Sequence, residues 1–556
     1  MGSSVRRFFL DERRLAYGTW HAFERDVARM LVQNGFEEVR LVGGAGDHGG
    51  DVLARKDGRD WVFQCKYRLD GYAPANAADE VVRAAQFYGA DRLAIATTRP
   101  AGPALQAAID RWAQLGVTIE LLSQDTLMAI MDASPEYALS RRKLHRYQKR
   151  CVERVLQAMR RNGRAQIILA TGLGKTVLMA EVTACLFQEN RIADGRVLVL
   201  ADKVDLVDQL QREFWRQIPK SVATHLLRGG ESPGFWDGIT FATVQSAQAN
   251  QFDLPSFGLV WVDEAHHIGS ETFRRLIEHL NPAMLGGATA TPWRGDRFDI
   301  NELLGAPVVR MGIAEGLRNG FLCPVDYRLM ADDIDWRLVR EQSLHSYSLR
   351  ELNTRLLIPI RDAEAAKRIA DVFAAESRHR LIVFCASIAH AREFTATLSL
   401  FGFEAGVLAS PMRPADRERM LSRFRKGELN AITAVDIFNE GIDVPDVDMI
   451  AFMRVTHSWR IFVQQAGRGL RVAHGKDKLL VLDFVSNLRR LIDVLALHAA
   501  ASYEVERMAV FEQLVQFSDR NAGNLMFEWM MDQANLFSRV ENPSLATIGR
   551  ELRDGA

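Results

Sequence analysis

Two short motifs, each tied to an apolar run, restrict this chain to one kind of sheet. Leu169-Ala170-Thr171-Gly172-Leu173-Gly174-Lys175-Thr176 follows the run 166–169, and Val262-Asp263-Glu264-Ala265-His266 closes the run 259–262. A loop that leaves a strand, carries small residues and opens a helix can wrap a polyphosphate with its backbone N–H groups, where side chains would block the approach. Loops of this kind occupy the carboxyl edge of a parallel sheet covered by helices. Thr171, Gly172, Leu173 and Gly174 form the expected wrap, and Lys175 reaches the β/γ-phosphates of a nucleoside triphosphate as a point charge. Thr176 and Asp263 are the candidate ligands of a shared Mg²⁺, and Glu264 is placed to orient the attacking water. Leu169 stands where the general phosphate-loop pattern has its first glycine, which narrows the motif to a variant form.

The alternation continues on both sides. Apolar runs at 197–201, 239–243 and 285–288 alternate with helical patterns and end in polar or small clusters, as strands of a parallel sheet do. A second series at 381–384, 431–434, 449–452 and 479–482, with amphipathic stretches at 362–375 and 389–401, predicts another domain of the same type without a phosphate loop. At 556 residues the chain exceeds the ~250–300 at which one core stops growing, so several domains are expected. Seventy basic and seventy acidic residues cancel, so any nucleic-acid surface must be a local patch. Five scattered cysteines with no Cys-x-x-Cys pair argue against a zinc site or a disulfide framework. The charged N-terminal stretch is no signal peptide and no apolar run approaches ~18 residues, so a cytoplasmic protein without a membrane partner is expected.

The order of further motifs is more specific. Tyr147-Gln148 precedes the phosphate loop and Thr289-Ala290-Thr291 follows Asp263-Glu264-Ala265-His266. The second half carries Gly441-Ile442-Asp443-Val444-Pro445 and Gln464-Gln465-Ala466-Gly467-Arg468-Gly469-Leu470-Arg471. Taken together, residues 147–471 resemble the superfamily 2 helicases of the Asp-Glu-Ala-His type. The resemblance implies two RecA-like domains acting on ATP, with Gln148 reading the adenine and Asp443 and Gln464 contributing to the nucleotide site. It further implies that Arg468 and Arg471 come from the second domain, Arg471 as an arginine finger of the kind worth ~10³–10⁵ in rate. By the same resemblance, 202–206 and 243–246 line a nucleic-acid track through phosphate contacts, although each also reads as a helix cap.

A separate unit precedes this engine. Thr19 is a candidate N-cap for an amphipathic helix reaching Asn34, followed by a strand at 38–42 and the turn Gly43-Gly44-Ala45-Gly46-Asp47-His48-Gly49-Gly50. Asp51 opens the next strand, and 61–67 forms another after a charged turn. In that strand the period of two sets Gln64 and Lys66 on one face and Phe63 and Cys65 on the other, so the first pair can meet Asp51. An acidic residue beside Gln-x-Lys suits a metal-dependent phosphodiesterase. Asp51 and Gln64 are the candidate ligands, and Lys66 positions water and offsets phosphate charge. Glu24 is the candidate second carboxylate, and Asp47 and His48 read as turn residues. Helix, strand, helix and strand follow at 75–88, 93–97, 104–115 and 118–122. Gly46-Asp47-His48-Gly49-Gly50-Asp51 with Gln64-Cys65-Lys66 resembles the Mrr-like restriction endonucleases over residues 19–131. That implies a mixed sheet with flanking helices and DNA cleavage dependent on Mg²⁺ or Mn²⁺. Glutamine at 64 removes a charge that the wider nuclease superfamily carries as glutamate, which weakens metal binding.

The resulting plan is α/β throughout: an Mrr-like nuclease fold at 1–133, a linker at 134–146, RecA-like domains at 147–322 and 323–487, and a helical tail at 488–556. Arg141, Arg142, Lys143, His145 and Arg146 make the linker read as a solvated spacer or as a contact to the phosphate backbone. The tail has no catalytic motif and is the candidate surface for a protein partner. The expected function is an ATP-driven DNA helicase or translocase coupled to an endonuclease. A role in restriction or antiphage defence rests on a layout similar to the motor subunit of type I restriction enzymes. The alternatives are a repair or recombination helicase-nuclease, and a motor whose N-terminal domain binds DNA without cutting it.

Overall fold

The computed structural model describes residues 8–43, 48–268, 270–290, 300–330, 362–409, 412–435, 447–453, 476–484 and 515–516. Asp47, Thr291, Asp443, Gln464, Arg468, Arg471 and most of the tail lie outside the described residues.

Strands β1 (Glu37–Leu41), β2 (Val52–Lys56), β3 (Arg59–Lys66), β4 (Arg92–Thr97) and β5 (Ile119–Leu122) form a five-stranded sheet in chain order. The first three pair antiparallel and β3, β4 and β5 run parallel, giving the expected mixed sheet. Helices α1 (Glu12–Tyr17) and α2 (Trp20–Gln33) precede it, α3 (Ala77–Tyr88) and α4 (Pro103–Gln114) cross between the parallel strands, and α5 (Gln124–Ala133) follows. Thr19 caps α2 as its sequence indicates, its hydroxyl oxygen accepting from the Ala22 amide at 3.2 Å. Val27, Ala28 and Leu31 of α2 then bury against Phe63 and Cys65 of β3. β3 starts earlier than its apolar run because Asp57 and Gly58, at φ +52° and +74°, make a tight hairpin that pairs Lys56 with Arg59.

The next sheet holds β6 (Arg164–Leu169), β7 (Arg196–Ala201), β8 (Thr224–Leu227), β9 (Gly238–Thr243), β10 (Leu259–Asp263), β11 (Met284–Thr289) and β12 (Pro307–Met311), in the order β12-β6-β11-β10-β7-β9-β8. The five expected runs supply its centre. The two edges were not legible: β8 is buried but begins Thr224-His225, and β12 begins with a proline and is half exposed. Helices α6 (Arg146–Asn162), α7 (Lys175–Gln188) and α8 (Val204–Trp215) pack against this sheet.

A third sheet contains β13 (Val325–Met330), β14 (Leu381–Phe384), β15 (Ala405–Leu408), β16 (Ala431–Ala434), β17 (Met449–Phe452), β18 (Leu479–Asp483) and β19 (Val515–Gln516), in the order β15-β16-β14-β17-β18-β13-β19 with parallel pairing. The tail departs from expectation here. Helical periodicity covers 505–517, yet Val515 and Gln516 pair with Leu329 and Met330 as an edge strand. The open amides of a sheet edge recruit such a segment, a long-range pull that local periodicity does not report. The chain divides into two compact units, the first two sheets belonging to one and the third to the other.

Within the first unit, residues 134–146 are not a solvated spacer. Arg141 grips Glu181 with contacts of 2.8 and 3.0 Å, and Arg142 pairs with Glu213. Lys220 donates to the carbonyls of Met131, Asp132 and Ser134. From α2, Arg25 is bidentate to Glu231 at 2.9 Å, and the fully buried Arg29 donates to the carbonyls of Val222 and Pro219. Trp215 and Ala223 complete the apolar core around α2. Each buried cation meets an acceptor, as burial of charge demands. Among the described residues no helix is long and apolar enough to cross a membrane.

Candidate active sites

The phosphate loop leaves β6 at Leu169, turns at Gly172 and Gly174 with φ of +90° and +88°, and enters α7 at Lys175. Leu173 is buried under the turn, and Thr171, Lys175 and Thr176 are half-buried along it. A Cβ on Gly174 would fall 2.5 Å from Gln148 Nε2, so only glycine fits both the backbone and the space. Gln148 is held there by its own helix start, its Oε1 accepting from the His145 amide at 2.9 Å. The amides at the N-terminus of α7 and its dipole favour an anion at this point.

Lys175 does not stand free. Its ammonium donates to Glu264 Oε1 at 3.0 Å. Glu264 follows β10 at φ +48°, a strained conformation for a side-chain-bearing residue. Its second oxygen lies 3.2 Å from His266 Nδ1, and that ring nitrogen meets Thr289 Oγ1 at 3.0 Å. Burial opposes the charge on Lys175, but Glu264 and then Asp263 outweigh it and raise the pKa. Burial also opposes the charge on Glu264, yet Lys175 and His266 hold its carboxyl well below the usual carboxylate range. Asp263 moves the other way, pushed up by burial and by the charge of Glu264. Its Oδ1 is buried without a hydrogen-bond partner. A buried acceptor lacking a donor fits a cation ligand, so Asp263 suits a divalent cation. Thr243 caps the helix Val244–Ala249 through the Ser246 amide at 3.1 Å, so the cap reading of that segment holds.

The second site opens on the five-stranded sheet, where Glu24, Asp51, Gln64 and Lys66 line one cavity of about 610 Å³. Asp51 is buried, its Oδ2 accepting from the Cys65 amide at 2.6 Å and from Gln64 Nε2 at 2.7 Å. The adjacent antiparallel strands, pairing Val52 with Phe63, create this register. Gln64 therefore orients Asp51, while its own Oε1 is left buried without a partner. A Cβ on Gly43 would lie 3.1 Å from Glu24 Oε2 and 3.4 Å from Asp51 Oδ1, so both carboxylates face one small space that the glycine keeps open. Two carboxylate oxygens and an orphaned amide oxygen suit a divalent cation. The donor set is lean: among the described residues, no group of three His, Cys, Asp or Glu side chains is arranged to hold a metal. The Cys65 thiol is pushed well up by burial, then by the charges of Asp51 and Glu24.

Lys66 lines the same cavity and ion-pairs at 2.6 Å with Glu80 of α3. Glu80 and its neighbours Arg83 and Trp20 are wall residues that the sequence reading missed. Spacing of three along an amphipathic helix puts Glu80 and Arg83 on one side, but which side meets the sheet is decided by tertiary packing. His48 is more than a turn residue, since its ring stacks on Phe87 at 3.9 Å and it too faces the cavity.

Comparison with known proteins follows this division. Residues 15–131 match the family model described as "Restriction endonuclease", 141–294 that of "Type III restriction enzyme, res subunit", and 364–473 that of "Helicase conserved C-terminal domain". The chain thus carries a restriction-endonuclease segment ahead of two helicase-type segments. Among its relatives, this helicase–nuclease fusion is 24% identical over 355 residues to the candidate ATP-dependent helicase IRC3 of Saccharomyces cerevisiae, covering 60% of this chain and 50% of that one. It is also 24% identical to the type I restriction enzyme EcoAI endonuclease subunit of Escherichia coli, over 61% of this chain and 45% of the relative. The fusion thus spans about half the length of these relatives. In fold it is similar to the ATP-dependent type ISP restriction-modification enzyme LlaBIII bound to DNA, with a TM-score of 0.54 and 16% identity, over 91% of this chain and 41% of that one.

Proposed function

We propose that this fusion is an ATP-driven DNA helicase or translocase whose N-terminal domain is a Mg²⁺- or Mn²⁺-dependent endonuclease, acting in the cytoplasm in restriction of foreign DNA. The observation that carries the reading is that two distinct hydrolytic constellations occupy one compact unit. Lys175 and Glu264 close one, and Asp51, Gln64 and Glu24 frame the other.

At the first site, an arriving triphosphate offers Lys175 a more highly charged partner than Glu264. The ammonium then moves to the β/γ-phosphates and releases Glu264 to orient water. Asp263 and Thr176 hold Mg²⁺, Gln148 reads the base, and Asp443 and Gln464 complete the nucleotide contacts. Arg468 and Arg471 stabilise charge on the transferring phosphoryl, a role taken from the resemblance alone. At the second site, Asp51, Glu24 and the Gln64 amide oxygen hold the divalent cation. The bound ion supplies Lewis-acid stabilisation and an activated water. Asp51 is fixed for this by the Cys65 amide, and Lys66 offsets charge developing on the phosphodiester. The defence role draws support from the restriction enzymes among the relatives, not from any one residue.

The test is a crossed panel of wild type, Lys175→Ala and Asp51→Ala, scored on linear, circular and branched DNA for hydrolysis and cleavage together. Lys175→Ala is expected to lower ATP hydrolysis by ~10³-fold or more. Asp51→Ala is expected to abolish metal-dependent cleavage by a similar factor while sparing ATP hydrolysis. DNA cleavage unaffected by Asp51→Ala would overturn the nuclease assignment. Cleavage in the Lys175 variant equal to wild type under every condition would overturn the coupling of the endonuclease to the motor.

A further inference from the structure

The two sites treat their lysines in opposite ways. In the nucleotide site the nearest partner of the lysine is the catalytic carboxylate itself: Lys175 lies on Glu264. In the nuclease cavity, Lys66 shares its walls with two carboxylates meant for a cation, Glu24 and Asp51, yet pairs with a third acid, Glu80. Glu80 is fixed from several directions. Its Oε1 accepts from Asn76 Nδ2 at 3.0 Å, one turn back on the same helix. Gly49, at φ +88°, presses so close that a Cβ there would lie 2.7 Å from Glu80 Cβ, locking α3 against the turn that leads into Asp51. The Lys66 and Glu80 side chains retain only 21% and 19% of their exposure, and the Glu80 oxygen that faces the ammonium is buried with no hydrogen-bond partner, so its charge depends on Lys66.

We propose that Glu80 is a positioning residue that holds the Lys66 ammonium away from Asp51 and Glu24, leaving those carboxylates for the divalent cation. The proposal rests on the nuclease reading of this cavity and adds a residue that neither motif contains. A lysine is a flexible stem with a compact charge. Freed from Glu80, its ammonium turns to the other acids lining the cavity, which are the candidate metal ligands, and competes with the cation for them. With Gln64 contributing no charge, the cavity has little surplus with which to win that competition. Glu80 thus lets a lysine and a cation occupy one lean site together.

Mn²⁺ binding, followed by electron paramagnetic resonance without nucleotide or DNA, tests this in the full-length protein. Wild type, Glu80→Gln, Lys66→Ala and the double variant are compared, with the signal lost in Asp51→Asn taken as the nuclease site. Glu80→Gln should weaken Mn²⁺ binding by ~10-fold, the scale of an outer-sphere partner, and should have no effect once Lys66 is alanine. Glu80→Asp should restore part of the affinity. Equal weakening in both backgrounds would make Glu80 a ligand or a fold element and overturn the proposal. No effect in either background, or no Asp51-dependent Mn²⁺ binding in wild type, would overturn it too. If the cycle behaves as expected while wild type cleaves no DNA, the nuclease reading fails and the Glu80 role stands.

Discussion

The Lys175–Glu264 pair and the nuclease cavity lie in the same compact unit, but they are built on opposite principles. The nucleotide site is closed on itself. Lys175, Glu264, His266 and Thr289 form one continuous chain of contacts, and its two acids are driven apart, Asp263 toward protonation and Glu264 toward ionisation. The nuclease cavity is open, with a single oriented carboxylate at its base and charged groups spread over three elements. A site that pairs its own charges must be unlocked by its substrate. A site with a donorless buried amide oxygen and two carboxylates facing one small space suits an ion instead. The difference suggests that ATP controls the first site directly and the second only through the body they share.

The seam is where that idea breaks most visibly. Arg25 is buried on the helix that also carries Glu24, and it holds Glu231 and Asp208 of the neighbouring domain. Removing the guanidinium leaves Glu231 buried, with Arg228 as its remaining cation. Arg25→Ala is expected to destabilise the unit by about 3 kcal/mol, the low end for a broken buried pair because Arg228 stays. Calorimetry should show the nuclease and phosphate-loop domains losing thermal stability together. A shift confined to the nuclease domain, with the other transition unmoved, would show that the two sites do not share a body.

Much of this contrast could be read in the sequence and some could not, for a physical reason. Lys175, Thr176, Asp263 and Glu264 act from loops contiguous with their strands, so a linear motif contains their geometry. Asp51, Gln64 and Lys66 were legible because the period of two fixes faces across a single hairpin. Glu80 and Arg83 were not, since an amphipathic helix states that it has a buried face without stating which strand lies beneath it. The same limit applies to Arg25 and Arg29: charged positions on a helix suggest solvent, and only the partner surface turns them into buried anchors. The strand at Val515–Gln516 was hidden because its cause is an open edge nearly two hundred residues earlier.

A smaller effect tests whether the seam responds to pH. His225 of β8 is fully buried beside Asp237, which also holds Arg14. Burial lowers its pKa below the ordinary histidine value, with Asp237 pulling the other way and Arg14 reinforcing the drop. The unfolded chain therefore binds a proton near pH ~6.5 that the folded chain refuses, so stability falls as pH drops through that value. It is unaffected by this group above neutrality. The slope for one such site is ~1.4 kcal/mol per pH unit until the folded pKa is reached. In His225→Gln that slope disappears, so the stability gap between wild type and variant should narrow from pH 7 to pH 5. A gap that stays constant or widens on acidification would mean His225 is charged in the fold, and the seam would then lack its acid-sensitive contact.

The smallest expected effect bears on the openness of the nuclease cavity. Arg83 lies three residues beyond Glu80 on α3, exposed and lining the same wall. A guanidinium at the mouth of a cavity with a phosphodiester-cleaving set at its base suits a backbone phosphate, which fixes position and carries no sequence information. Arg83→Ala should weaken binding to every duplex sequence by a similar few-fold factor and reduce the salt slope of log K by about 1. ATP hydrolysis without DNA should not change. A loss that depends on sequence would make Arg83 a base reader. An unchanged salt slope would mean that DNA reaches Asp51 without passing α3, and the cavity would be less open than its charges indicate.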